Sequence, residues 1–272
     1  MGTLCFGRMS LKIPSKVWCV CAVANTHLQH PCLCGIQGWA LKDKPGLLSR
    51  TAHVLVVGAA ADSLAYQSGG WSVDWQDRDT MNADFPQGTT LLAALRQRLG
   101  TAQVVFDADG TQQDPARFDA VVAVLAEAPY AEGAGDIRIN ENLRHSSRYP
   151  HDLAVLQRVA GRGAPVVTLL YSGRPLYVND LANRSDAFIA AWLPGTEGAG
   201  MADLLVAAPA GEPAWPGFKG RLPFPWPAGP CQFSSHESKP WHPLGGGLRG
   251  KETQTNASPL PEPPDPQPIC PL

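Results

Sequence analysis

An uninterrupted apolar run, Ala-Val-Val-Ala-Val-Leu-Ala, occupies residues 120–126 and constrains the fold more than any other feature of the chain. A run without polar alternation is typical of a strand that is covered on both faces, as in a parallel sheet between two layers of helices. The loop that follows, residues 127–136, contains Gly133 and Gly135, which let the backbone turn sharply and approach a ligand. Because ligands bind beyond the carboxyl ends of the strands in such sheets, Glu132 is the first candidate site residue.

Strand and helix patterns alternate through residues 51–228. Short apolar runs predict strands at residues 54–57, 104–106, 120–126, 166–170 and 187–191. Helices are predicted from Gly88 to Gly100 with Leu92, Leu95 and Leu99 on one face, from His151 to Gly161 with Leu153, Leu156 and Ala160 inward, and over residues 200–207. Right-handed crossovers wind this order into a mostly parallel sheet flanked by helices. The sequence therefore predicts an α/β fold, a three-layer α/β/α sandwich, with disordered ends.

The leader, residues 1–50, is rich in cysteine and has no assigned fold. All seven cysteines of the chain lie outside residues 51–228. In the leader, Cys19-x-Cys21 and Cys32-x-Cys34 flank two histidines, but one intervening residue is a poor spacing for a tetrahedral zinc site, so we expect no metal. A short apolar stretch at residues 17–24 has the outline of a signal peptide but is at the lower limit of length, so the compartment stays unassigned.

The tail, residues 229–272, contains Gly245-Gly246-Gly247 and a run of closely spaced prolines. Such a composition buries too little apolar surface to offset the conformational entropy that ordering costs. The tail is therefore predicted to be disordered. A partner-binding role for the prolines is the alternative interpretation.

Charge and motif content exclude several classes of partner. The formal net charge of -2 and the pI near 6.4 give no electrostatic reason for binding nucleic acid or an anionic membrane surface. No apolar run approaches the roughly 18 residues that a bilayer-spanning helix needs. The turn at Gly58–Asp62 lacks the G-x-G-x-x-G glycines that allow a pyrophosphate to approach, so no nucleotide cofactor is expected.

A series of motifs in a fixed order resembles a known family. The motifs are Q-S-G-G-W-S-V-D-W-Q at 67–76, G-T-T at 88–90, P-Y-A-E at 129–132 with Gly135 and Asp136, S-G-R-P at 172–175, A-W-L-P-G-T-E-G at 191–198 and G-F-K-G-R-L-P at 217–223. Over residues 51–228 the chain resembles the second, C-terminal domain of glycoside hydrolase family 3, of the exo-β-glucan glucohydrolase and β-glucosidase type.

The resemblance implies a retaining glycosidase whose active site is divided between two domains. In the family a (β/α)8 barrel supplies the nucleophilic aspartate, and the α/β domain supplies the acid/base, which corresponds here to Glu132. Trp75 matches an aromatic residue that stacks against the sugar, and Trp71 is a second candidate for that role. The implied partners are a β-linked glucoside or oligosaccharide and a separate barrel domain. The resemblance also favours a pairing of Arg174 with Glu197.

The same resemblance leaves the activity of the chain open. Nothing before residue 51 looks like a barrel, which typically takes about 250 residues. With Glu132 as its only candidate for the two carboxylates, the chain alone is expected to be inactive, and it has the character of a fragment of a longer enzyme. A non-catalytic carbohydrate-binding or interaction module derived from that domain is the alternative, and a fragment without function is the third.

Overall fold

The computed structural model describes residues 48–138, 141–210, 221–233, 239–246, 259–262 and 270, together with the backbone of three strands within residues 23–38. The side chains of the leader, including its cysteine and histidine pairs, lie outside the described residues. Among the described residues, no helix is long and apolar enough to cross a membrane.

Within the described residues, eight strands form two sheets. β1 (Val23–Asn25) and β2 (Leu28–His30) pair with each other in antiparallel fashion. The main sheet contains β3 (Cys34–Gly38), β4 (Val54–Val57), β5 (Val104–Phe106), β6 (Ala120–Ala126), β7 (Val166–Tyr171) and β8 (Ala187–Trp192). Their spatial order is β3-β8-β7-β6-β4-β5. The strands β4 to β8 are all parallel, and β3 adds to the edge of β8 in antiparallel orientation.

In the part of the chain that the structure describes, six α-helices accompany the strands. They are α1 (Leu64–Ser68), α2 (Leu91–Leu99), α3 (His145–Arg148), α4 (Pro150–Val159), α5 (Asn179–Ala182) and α6 (Gly198–Leu205). The start of α2 is fixed by Thr90, whose hydroxyl accepts a hydrogen bond from the amide of Ala93. Its end is set by Gly100, which has a φ of 96° and bonds the carbonyl of Arg96.

The core lies on both faces of the sheet, because successive residues of each strand point to opposite sides. Val54 and Val56 pack with α2 and α6 on one face, whereas Leu55 and Val57 pack with α4 and α5 on the other. Every residue of β6 is buried, including the fully buried Val124. Full burial of a side chain of this size stabilises the fold by roughly 1.5–3 kcal/mol. The double-sided burial explains why these strands read as unbroken apolar runs.

The α/β fold predicted from the sequence is confirmed: five parallel strands carry helices on their faces. Several details differ from the prediction, two of them with a clear physical reason. α4 begins at Pro150, whose fixed φ suits the first helical position, and it buries Val155 and Val159, whereas Leu153 is only partly buried. β3 was not predicted, since its sequence Cys-Gly-Ile-Gln-Gly has neither an apolar run nor a clear alternation.

Described parts of the tail lie against the domain. The backbone amide of Leu260 donates to the side chain of Asn183, and the amide group of Asn183 donates back to the Leu260 carbonyl. A disulfide joins Cys231 to Cys270. These contacts supply tertiary order that the local composition does not predict.

Candidate functional site

The candidate site lies at the carboxyl edge of the sheet between β4 and β6. The chain leaves β4 toward β5 on one side and then returns to place β6 on the other side of β4. Loops that follow adjacent strands and depart in opposite directions leave a crevice between them, which is where α/β sheets bind ligands. Two loops border this crevice: residues 69–80, called here the Trp loop, and residues 127–136, called the Glu132 loop.

Asp77 organises the Trp loop, although sequence reasoning missed it. Its fully buried carboxylate accepts hydrogen bonds from the amides of Ser72 (2.7 Å), Val73 (3.1 Å) and Asp74 (2.9 Å) and from the hydroxyl of Thr80 (2.9 Å). Burial by itself would raise the pKa of the Asp77 carboxyl, but the four donors outweigh it and hold the pKa below its usual range. The negative charge of Asp77 is therefore part of the loop structure.

The loop presents two tryptophans to solvent. Trp71 is 67% exposed and Trp75 is 50% exposed, and their ring centroids are 6.5 Å apart. The amide of Trp71 donates to the carbonyl of Trp75 at 3.2 Å, and Trp71 has a φ of 62°, a conformation that is uncommon for a bulky residue. The backbone hydrogen bond between Trp71 and Trp75 and the positive φ of Trp71 together hold both indoles toward solvent. Exposed aromatic pairs of this kind offer apolar faces to a ligand.

Glu132 begins a short 3-10 turn, Glu132–Gly135, directly beyond β6. Its side chain is exposed, and within the described residues no hydrogen bond or ion pair holds its carboxylate. The residue has a φ of 50°, which costs of order 1–3 kcal/mol for a side chain other than glycine. Such strain clusters at functional sites, where the surrounding structure holds it in place.

The Trp loop and the Glu132 loop are joined to each other. The side-chain amide of Gln76 donates to the carbonyl of Ala131 (3.1 Å) and accepts from the amide of the same residue (3.0 Å). Since Gln76 follows Trp75 and Ala131 precedes Glu132, this double hydrogen bond places the two candidates at the same rim. Gly70 adds a close approach, because a Cβ there would lie 2.2 Å from the Tyr130 carbonyl oxygen. The predicted meeting of the two loops is thus observed, while the roles of Glu132, Trp75 and Trp71 stay predictions.

An ion pair between the buried Glu127 and the partly buried Arg174 supports the Glu132 loop from below. Glu127, only 5% exposed, lies 3.2 Å from the Nε of Arg174, and its other oxygen accepts from the Gly173 amide (3.1 Å) and the Tyr130 hydroxyl (3.4 Å). Nε of Arg174 also donates to the Tyr130 hydroxyl (3.1 Å). The first residues after β6 and β7 are therefore tied together beneath the exposed turn.

Tyr130 is the centre of this support. The Arg174 guanidinium lies 4.5 Å from the centroid of its ring, and a Cβ on Gly135 or Gly173 would collide with the ring or its hydroxyl. Burial, reinforced by the charge of Glu127, raises the pKa of Tyr130 to about 12. Tyr130 is therefore a neutral hydrogen-bond donor at physiological pH, and its ring packs against Gly135, the last residue of the Glu132 turn.

The expected pairing of Arg174 with Glu197 is wrong. Glu197 lies well beyond the end of β8, and its backbone bridges to Thr89, which draws it toward the start of α2. Its carboxylate accepts from the hydroxyl of Thr196 at 3.3 Å. Arg174 instead finds Glu127, because β7, which precedes Arg174, is hydrogen-bonded to β6. The spacing of Glu127 and Tyr130, just after the apolar run, was the signal that could have revealed the pair.

Comparison with known proteins agrees with this geometry. Residues 41–257 match the sequence profile described as the glycosyl hydrolase family 3 C-terminal domain. A lysosomal beta glucosidase of Dictyostelium discoideum is 32% identical over 163 residues, which is 54% of this chain and 19% of that protein. The crystal structure of an exo-1,3/1,4-beta-glucanase from a Pseudoalteromonas species superimposes with a TM-score of 0.75 at 34% identity, over 86% of this chain and 29% of that one.

A mutant beta-glucosidase from Listeria innocua, solved in complex with laminaribiose, has a TM-score of 0.53 at 25% identity, over 80% of this chain and 32% of that one. By its fold, the chain is thus similar to one part of enzymes that are named as glucosidases and glucanases. The chain belongs to glycoside hydrolase family 3, as its C-terminal domain, and is related to beta-glucosidases and exo-beta-glucanases. It spans less than a third of the length of each of these relatives.

Proposed function

We propose that this domain supplies the general acid/base and part of the sugar subsite of a retaining β-glucosidase or exo-β-glucan glucohydrolase. Glu132 protonates the leaving glycosidic oxygen and then deprotonates the attacking water. Trp75, with Trp71 beside it, offers an indole face to the neighbouring sugar ring. The nucleophilic carboxylate belongs to a (β/α)8 barrel, as the family resemblance implies.

The observation that supports this proposal best is the double hydrogen bond between Gln76 and Ala131. It brings an exposed carboxylate and an exposed indole to one rim of the sheet, at the carboxyl ends of the strands. A sugar held there meets a proton donor and an apolar wall at the same time.

The substrate class follows from the relatives and stays part of the proposal. The Listeria innocua relative was solved with laminaribiose, and the Pseudoalteromonas relative is named for activity on 1,3- and 1,4-linked β-glucan. We therefore assign a β-linked glucoside or short β-glucan to this site. A hydrophobic sugar face on Trp75 suits β-linked glucose, whose ring hydroxyls are all equatorial.

The test is complementation in trans. The full chain is mixed with the separately produced barrel domain of the Pseudoalteromonas exo-glucanase, and hydrolysis of an aryl β-glucoside is followed. The chain alone is expected to be inactive, and the mixture active. In the mixture, Glu132→Gln should lower turnover by roughly 10²–10⁴-fold, the usual contribution of an acid/base group. Added azide should restore part of it, since an anionic nucleophile needs no general base.

The matched control is Asp79→Asn, which removes an exposed carboxylate from the same rim and should leave turnover within about twofold. Turnover by the chain alone would contradict the division of labour between two domains. An active mixture in which Glu132→Gln has no effect would contradict the assignment of the acid/base. Sugar binding without activity in any mixture would instead favour the non-catalytic module.

A further inference from the structure

A second candidate ligand site lies in the crevice itself. A cleft of about 390 Å³ opens beyond the carboxyl ends of β4 and β6. Its walls come from the start of α1, from the far end of the Trp loop, from the first residues of the Glu132 loop and from the end of α3. This is the point at which the strand order reverses, so the fold itself leaves the cleft open. Its volume is within the range of small-molecule sites.

The charge of the lining is of one sign. Arg78 and Arg148 both line the cleft, and no Asp or Glu side chain is among the lining residues. Arg78 is exposed, and within the described residues no hydrogen bond or ion pair engages its guanidinium. Arg148 uses one amino group to bond the Asp136 carbonyl (3.0 Å) and Glu141 (3.3 Å). The partly exposed pair with Glu141 is weak, so both guanidiniums can meet an anion.

The remaining lining suits a sugar ring. Tyr66, Tyr130 and Tyr149 contribute aromatic surface, and Ser63 and Thr80 contribute hydroxyls. Burial raises the pKa of the Tyr66 hydroxyl, and the charge of Asp152 raises it further. Burial also raises the pKa of the Tyr149 hydroxyl, and there the charge of Glu127 adds to the effect. All three tyrosines are therefore protonated at neutral pH and add no negative charge to the cleft.

We propose that this cleft binds a carboxylate-bearing sugar of the hexuronate class, with its carboxylate on Arg78 and Arg148 and its ring against the tyrosines. The planar guanidinium fork matches a carboxylate in bidentate fashion, and aromatic surface matches the apolar face of a pyranose. A neutral glucose would satisfy the tyrosines but leave Arg78 without a counter-charge and Arg148 with only its weak pair to Glu141. The proposal goes beyond the hydrolysis of β-glucosides and requires neither Glu132 nor a barrel.

The test uses the full chain and amide NMR shifts. Methyl β-glucuronide and methyl β-glucoside, which differ at the ring by a carboxylate in place of a hydroxymethyl group, are titrated separately at low ionic strength. The glucuronide should bind more tightly, because its carboxylate gains charge-assisted hydrogen bonds from the arginines. Water weakens these bonds at an open cleft, so the expected gain is about tenfold. The shifted amides should be those of Thr80, Ala128 and Tyr149.

Arg78→Gln should remove most of the preference for the glucuronide while leaving the fold unchanged, because no hydrogen bond or ion pair of its side chain is present within the described structure. The matched control is Arg117→Gln, an exposed arginine that precedes β6 and therefore lies at the opposite edge of the sheet. It should retain the full preference. Equal affinity for the two glycosides, no binding of either, or a preference that survives Arg78→Gln would each overturn the proposal.

Discussion

Replacing Asp77 by asparagine should release the Trp loop while leaving the sheet intact. Oδ1 of Asp77 accepts from Val73, Asp74 and Thr80, and Oδ2 accepts from Ser72. An asparagine of the same shape keeps one acceptor oxygen and presents an NH₂ group where the Ser72 amide now donates. The variant therefore loses one hydrogen bond and converts three others from charge-assisted to neutral.

The magnitude follows from the strength of these bonds. A hydrogen bond to a charged group contributes about 1.5–3 kcal/mol and a neutral one about 0.5–1.5 kcal/mol. Ser72, Val73 and Asp74 are exposed, so water compensates for most of the weakening of the three remaining bonds, and the loss is close to that of the one charge-assisted bond that disappears. We expect the free energy of opening the loop to fall by about 2 kcal/mol, which corresponds to about 30-fold faster exchange of protected amides.

Hydrogen exchange of the Ser72, Val73 and Asp74 amides measures this quantity directly. At pH 7, Asp77→Asn should accelerate all three, whereas the exposed neighbour Asp79→Asn should not. Protection of the amides of β6 should be unchanged in both variants, because the sheet does not depend on the loop. Unchanged exchange at the three amides in Asp77→Asn would refute the view that this carboxylate organises the loop.

The lowered pKa of Asp77 adds a pH dependence with a definite sign. Its folded pKa lies below the unfolded value near 3.9, so its stabilisation is fully present above about pH 4. That stabilisation is lost as the pH falls through the folded pKa. The Trp loop of the wild-type chain should therefore open in acid below about pH 4. In Asp77→Asn, exchange of the Ser72, Val73 and Asp74 amides should show no additional increase from loop opening over this pH range.

Three further predictions concern the supports of the site. Gly70→Ala should lower the thermal midpoint of unfolding strongly, because the added Cβ would lie 2.2 Å from the Tyr130 carbonyl oxygen. Gly229→Ala, which has open space around it, should leave the midpoint unchanged. An unchanged midpoint in Gly70→Ala would contradict the close approach. Glu127→Gln should cost about 2 kcal/mol in urea denaturation by leaving the partly buried Arg174 without its counter-charge, and a loss below about 1 kcal/mol would show that the pair is dispensable. The pKa of Tyr130 is about 12 in the folded chain, above the unfolded value near 10. Tyr130 therefore stabilises the fold below about pH 10 and loses that contribution as the pH rises toward 12. Because Tyr130 does not ionise between about pH 9 and 11, Tyr130→Phe should leave the phenolate absorbance gained over that range unchanged.

The strands could be predicted from sequence because their signal is local. The runs at Val54–Val57 and Ala120–Ala126 are apolar throughout, since both faces of the sheet are covered. β3 had no such signal: it is an antiparallel edge strand that contains two glycines. The described tail residues likewise depend on partners far away in sequence, such as Asn183 for Leu260.

The site was predictable only in part, for a related reason. Motif resemblance located Glu132 and Trp75, and strand-end geometry indicated that their loops meet. The partner of Arg174 depended on which strands are neighbours, and nothing local indicates that β6 lies beside β7 while Glu197 is drawn toward Thr89. The role of Asp77 depended on three backbone amides, which almost every residue has and which therefore leave no trace in the sequence.

The double hydrogen bond between Gln76 and Ala131 joins the two loops without any net charge. A carboxamide has no titratable proton in the working range, so this link has the same strength whichever protonation state its surroundings adopt. In the proposed cycle Glu132 alternates between neutral and negative once per turnover, and an ionic link at the next residue would tighten and loosen with it. An uncharged link keeps the spacing between acid and indole constant through both halves of the reaction. The change in charge at Glu132 therefore does not alter the hydrogen bonds between Gln76 and Ala131 that position its loop.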